Sequence, residues 1–176
     1  MANLEDYSRE ICETRRAIHR RPEEGWTEFE TTYRVVSTLE KYGVFKIKAG
    51  RDVIDPEHVL GRNPDLVEKA QKRALEHGVP QAFLDRLGGY TGAVADCVLV
   101  TESKDALHVP AACGFASERD GFMHACGHDG HTATGLGLAH WIADHKDDLN
   151  GKIRLIFQPA EEGTRGASAM TAAGVA

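Results

Sequence analysis

Between Met123 and His131 the chain reads Met-His-Ala-Cys-Gly-His-Asp-Gly-His, which places one thiol, three imidazoles and one carboxylate within nine positions. Thiolate and imidazole are good ligands for zinc and related divalent ions. Gly127 lets the backbone bend so that Cys126 and His128 face one centre. In a regular strand, residues two apart also share a face, so either geometry makes Cys126 and His128 a chelating pair. Asp129 is placed to cap a following helix or to serve as a further ligand. Two other readings use the same residues. One is a set of surface or packing histidines. The other is a nucleophilic Cys126 with His128 as its base, and it leaves the next motif unused.

That motif is Gln158-Pro159-Ala160-Glu161-Glu162-Gly163. It follows the clearest strand of the chain, and open α/β sheets place their sites at the carboxyl ends of strands. Adjacent carboxylates repel, so a pair needs either water or a division of labour. In the second case one acid binds metal and the other moves protons, because a metal lowers the pKa of its bound water and a nearby carboxylate accepts the proton. The alternative is a solvated acidic turn.

The elements that must position these groups follow from hydrophobic spacing. Leu4, Tyr7, Ile11 and Ile18 recur at helical intervals, predicting a helix over 4–19 that ends by Pro22. Thr27 with Glu30 fits a capping box, with Phe29, Tyr33, Val36 and Leu39 as the buried face of a second helix and Gly43 as its stop. Val44 to Lys48 reads as a short strand, and 50–61 as loop. Asn63-Pro64 opens a third helix, with Leu66, Val67, Ala70 and Ala74 on one side and Gly78 at its end. A short fourth helix over 80–87 closes at Gly88-Gly89. Residues 91–101 form one long strand or two pieces bent near Asp96. A helix is expected over 129–144, a turn at Asn150-Gly151, and a strand over 152–158. The apolar run Ile153, Leu155, Ile156 and Phe157 predicts burial of that strand on both faces, inside a sheet covered by helices. Another helix begins near Ser168. Alternating helices and strands give an α/β class.

Composition sets the bounds. The 176 residues suffice for one domain, and 41% hydrophobic with 27% charged residues is a globular balance. With 27 acidic and 21 basic residues the formal charge is -6, which disfavours nucleic acid as a partner. Arg15, Arg16, Arg20 and Arg21 read as a solvated helix end. No apolar stretch approaches a membrane span, and no secretory signal is seen at the N-terminus, so the expected setting is the cytoplasm without a membrane. Cys12, Cys97 and Cys113 are expected to be unbridged packing residues.

Together the two motifs resemble the aminoacylase–carboxypeptidase family of metal-dependent amidohydrolases. The matching runs are Met123 to Ala133 and Ile156 to Gly166, supported by Arg15-Arg16, His19, Glu24-Gly25-Trp26, Glu28-Phe29 and the helical stretch from Val67 to Gly89 that ends in Gly88-Gly89-Tyr90-Thr91-Gly92. One run departs from the family pattern: Asp105-Ala106-Leu107 is preceded by Ser103-Lys104 where the family has Asp-Met. The resemblance implies an α/β fold, a sheet flanked by helices, with residues 1–176 as part of a zinc-peptidase-like catalytic domain and the lid or dimerisation domain absent. It implies hydrolysis of an amide in N-acyl amino acids, p-aminobenzoyl amino acids among them, at two divalent ions, zinc or manganese. Cys126, His128 and Glu162 would be metal ligands and Glu161 the general base. A homo-oligomer or a homologous second subunit is the implied partner. The alternative is a non-catalytic fragment of the same fold that binds metal weakly or not at all.

Overall fold

The structure is a computed structural model that describes residues 3–99, 117–162 and 166–175. The Asp105-Ala106-Leu107 run, Cys113 and residues 163–165 lie outside the described residues. In chain order the elements are α1 (Leu4–Arg20), α2 (Phe29–Tyr42), β1 (Lys46–Ala49), α3 (Pro64–Glu76), α4 (Gln81–Leu87), β2 (Ala93–Leu99), α5 (His128–Asp144), β3 (Gly151–Phe157) and α6 (Gly166–Ala172). Two short 3-10 turns, Gly50–Val53 and Pro56–His58, occupy the segment expected to be loop.

The strands form one small sheet in the order β1-β2-β3. At the end of β1, the Gly50 amide donates to the Gly92 carbonyl just before β2 (3.0 Å). A Cβ on Gly92 would lie 3.2 Å from the Phe157 carbonyl oxygen and 2.7 Å from Pro159 Cδ, just past the end of β3. The start of β2 thus meets the ends of both neighbours, which makes the pairings antiparallel. Gly92 sits at φ +96°, which together with this close approach favours a residue without Cβ.

By contacts the chain divides into two compact units. The first comprises Met1–Pro22, Leu39–Phe45 and Asp96–Leu155, the second Glu23–Thr38, Lys46–Ala95 and Ile156–Ala176. In the first unit α1 packs along α5. Gly137 lets the two helices approach closely, since a Cβ there would fall 2.4 Å from Ile11 Cγ1. Ala133, Leu136, Ala139 and Ile142 form the buried face of α5. The Tyr7 hydroxyl donates to Asp144 (2.7 Å) and the Tyr42 hydroxyl to Glu10 (2.8 Å). The second unit is built around Trp26, Val53, Ile54, Val94, Ala160, Ala169, Met170 and Val175. Burying each large apolar side chain of this kind contributes about 1.5–3 kcal/mol.

Three local expectations are corrected. The cap of α2 is not a box from Thr27 and Glu30. Instead the Glu23 carboxylate accepts from the amides of Glu30 (3.1 Å) and Thr31 (2.8 Å), while the Thr27 hydroxyl donates to the Glu24 carbonyl (2.7 Å). Leu66 is 41% exposed, so the buried side of α3 is Val67, Ala70 and Ala74 alone. Strand β3 is not buried on both faces. Ile153 and Leu155 pack with Ile142 and Trp141, whereas the opposite face carries Lys152, Arg154 and an exposed Ile156. Arg154 makes a two-pronged ion pair with Asp96 of β2 there (2.6 and 2.9 Å). Such a charged cross-strand pair belongs on a wet sheet face.

Candidate metal centre

In the first unit, the thiol-imidazole pair sits at the start of α5. Gly127 adopts φ +87° and ψ 15°, the left-handed bend expected of it, and is the residue before the helix. Its carbonyl accepts from the amides of Gly130 (2.9 Å) and His131 (3.2 Å). Cys126 on one side is exposed, and His128 on the other is half-buried. Cys12, Cys97 and Cys126 are in no disulfide.

Asp129 is not the cap of α5, for no side chain caps that helix. Its carboxylate is fully buried, with His19 Nδ1 2.8 Å from Oδ2 and Arg15 Nε donating to the same oxygen at 3.4 Å. The arginine cluster is therefore split in role. Arg20 and Arg21 face solvent beside Glu118 (3.9 and 3.8 Å), but Arg15 turns inward to Asp129. This triad pins the first turn of α5, and hence His128, to α1. Asp129 Oδ1 and His124 Nε2 are buried with no hydrogen-bond partner among the described residues. Burial pushes the His124 imidazole below its ordinary pKa, and the Asp129 carboxylate pulls in the opposite direction.

In the second unit, Glu161 and Glu162 form an exposed turn beyond β3. The residue before them, Ala160, is buried and has φ +48°, one of two non-glycine residues with positive φ among those described; Trp26 is the other. The Ala160 amide donates to Glu28 Oε1 (2.7 Å), and the Thr91 hydroxyl donates to Glu28 Oε2 (2.7 Å). Burial pushes the Glu28 carboxyl up, while these two donors pull it down. Sequence reasoning assigned no role to Glu28 or Thr91, placed Arg15 in a solvated helix end, and read Asp129 as a cap or ligand rather than as the partner of Arg15 and His19. Glu28 and His19 lay inside the motif-like N-terminal stretch, but their partners are distant in sequence.

Cys126 and His128 in the first unit offer a thiol and an imidazole, and Glu162 in the second offers a carboxylate. Their donor set of thiolate, imidazole and carboxylate is of the kind that binds zinc in proteins, so the residues present fit a divalent cation.

The model of Peptidase family M20/M25/M40 matches residues 95–176. A Haemophilus influenzae homolog of one subunit of p-aminobenzoyl-glutamate hydrolase is 44% identical over 183 residues, covering 94% of this chain and 43% of that protein. The crystal structure of an aminobenzoyl-glutamate utilization protein from Klebsiella pneumoniae superposes with a TM-score of 0.78 at 39% identity, over 98% of this chain and 42% of its own. A Bacillus subtilis protein described as a dinuclear metal binding peptidase from the M20 family superposes with a TM-score of 0.64 at 28% identity, over 98% of this chain and 41% of its own. The chain thus spans about two fifths of the length of the relatives it matches. Both motifs fall inside the region that resembles Peptidase family M20/M25/M40, and the likeness to the Haemophilus influenzae protein extends over nearly the whole chain.

Proposed function

We propose that this protein carries part of the catalytic domain of a metal-dependent amidohydrolase that cleaves the amide bond of N-acyl amino acids, with p-aminobenzoyl amino acids as the favoured class. The observation that carries the reading is that Cys126, His128 and Glu162, residues of ligand type in two separate motifs, all fall within the family-matched residues 95–176. These three side chains would hold a divalent cation, and the soft thiolate favours zinc over manganese. A cation so held supplies Lewis acidity toward the scissile carbonyl and lowers the pKa of water. Glu161 stands next to Glu162 on an exposed turn, open to water and substrate. It takes the proton of the attacking water and hands it to the departing amine nitrogen, so the same carboxylate acts first as base and then as acid. The Haemophilus influenzae relative is named for a p-aminobenzoyl-glutamate hydrolase, which supports the p-aminobenzoyl substrate class. It is named for one subunit of that enzyme, which supports a homologous second chain as partner.

The test combines metal content with turnover of p-aminobenzoyl-glutamate. Purified protein should contain a transition metal by elemental analysis, lose hydrolysis on chelation and regain it on adding zinc or manganese. Glu161→Gln should lower kcat by about a hundredfold or more while the metal content stays at the parent level. Hydrolysis that survives complete metal removal sinks the reading.

A further inference from the structure

We infer that Glu28 is a positioning residue for the acidic turn: its carboxylate, braced by Thr91, grips the peptide N–H of Ala160 and thereby fixes the backbone that carries Glu161 and Glu162. The inference rests on the hydrolytic reading above and adds to it a residue far from both motifs in sequence.

Three observations support it. Ala160 holds a left-handed backbone without being glycine, a conformation that crowds a Cβ against the following carbonyl oxygen. Such strain persists only where the surroundings over-determine it. Those surroundings converge on the Pro159-Ala160 elbow. Both Glu28 oxygens are committed, one to the Ala160 amide and one to the Thr91 hydroxyl, each at 2.7 Å. Three glycines then admit the elbow, two where a side chain would collide and one where it would crowd. A Cβ on Gly166 would lie 1.8 Å from the Pro159 oxygen, one on Gly92 2.7 Å from Pro159 Cδ, and one on Gly25 3.1 Å from Ala160 Cβ.

The consequence for chemistry is geometric. Rotation about Ala160 swings the two acids that follow it, and a displacement of about 1 Å at reacting groups can cost on the order of a hundredfold in rate. A neutral structural contact would not need a carboxylate. This site does, because two donors meet it and a side-chain amide could offer only one acceptor oxygen.

Glu28→Gln places an NH2 group against one of the two donors. The expected result is a fall of about 10–100-fold in kcat and in zinc affinity, with KM for p-aminobenzoyl-glutamate little changed. Hydrogen exchange at the Ala160 amide should speed up by about tenfold or more, as one hydrogen bond that protects it is weakened. Thr91→Val should move the same quantities in the same direction, and Thr91→Ser, which keeps the hydroxyl, should restore them. If Glu28→Gln does not fold, the Thr91 pair reads the same quantities. Unchanged Ala160 exchange overturns the grip. Faster exchange with parental kcat and zinc affinity overturns the positioning role. Absence of both zinc binding and turnover in the unsubstituted protein instead overturns the hydrolytic reading itself, which separates the two failures.

Discussion

Cys126 and Cys97 show how one residue type takes two characters from its surroundings. Cys126 is exposed beside the left-handed bend at Gly127, whereas Cys97 is buried in β2 and burial pushes its thiol up. Reactivity follows thiolate fraction and access, so an aromatic disulfide reagent should label Cys126 quickly and Cys97 slowly. Zinc added beforehand should protect Cys126 if its sulfur is a ligand, and mass mapping of the labelled peptides checks both outcomes. Equal labelling of Cys126 with and without zinc would count against it as a ligand. At this scale the donor types were legible in the sequence, because ligand chemistry travels with residue identity. The partners of Asp129 were not. Arg15 and His19 reach it from α1, and a contact over that sequence separation leaves no mark on local spacing.

Helices and strands add constraints that no single residue carries. The start of α2 is the clearest case, for Glu23 takes the first amides of the helix with both carboxylate oxygens. Burial pushes its pKa up to about 7, against the ordinary 4.5, while the Thr31 and Glu30 amides pull it down; its side chain is 2% exposed, with Arg73 3.5 Å away. A carboxyl whose folded pKa is raised binds its proton more tightly in the folded state. Its contribution is therefore present below about pH 4.5 and is lost as pH rises toward 7. Urea unfolding across that window should show the stability gap between the parent and Glu23→Gln shifting against the parent by on the order of 3 kcal/mol; parallel profiles would refute it. The sequence located α2 but assigned the cap to Thr27 and Glu30, since a Ser/Thr-x-x-Glu spacing is read along the chain while Glu23 reaches the helix from outside it. Strand β3 taught the converse. Its apolar run predicted two buried faces, but the helix packing seen for it is on the Ile153 and Leu155 side, and Arg154 with Asp96 marks the other as wet.

For the whole molecule, metal binding and folding are linked. A cation that binds only the folded chain stabilises it by about 2.7 kcal/mol when present at a hundred times its dissociation constant. In a chain of 176 residues that corresponds to a rise in Tm of roughly 5–10 °C. Scanning calorimetry with zinc and then with excess chelator should show this rise and its reversal, and Cys126→Ser should reduce it. An identical Tm in both conditions would argue against a bound ion in the native state. The sequence by itself determined the elements, the α/β class, the donor types in the Cys126-Gly127-His128 and Glu161-Glu162 motifs, and the family resemblance, because periodicity, glycine bends and ligand chemistry are all written locally. Only the tertiary structure decided that Glu28 and Thr91 clamp Ala160, that Asp129 is locked by Arg15 and His19, and that Glu23 caps α2. These are hydrogen bonds of buried or half-buried charge, and their partners are chosen by how the chain folds back on itself rather than by neighbours in sequence.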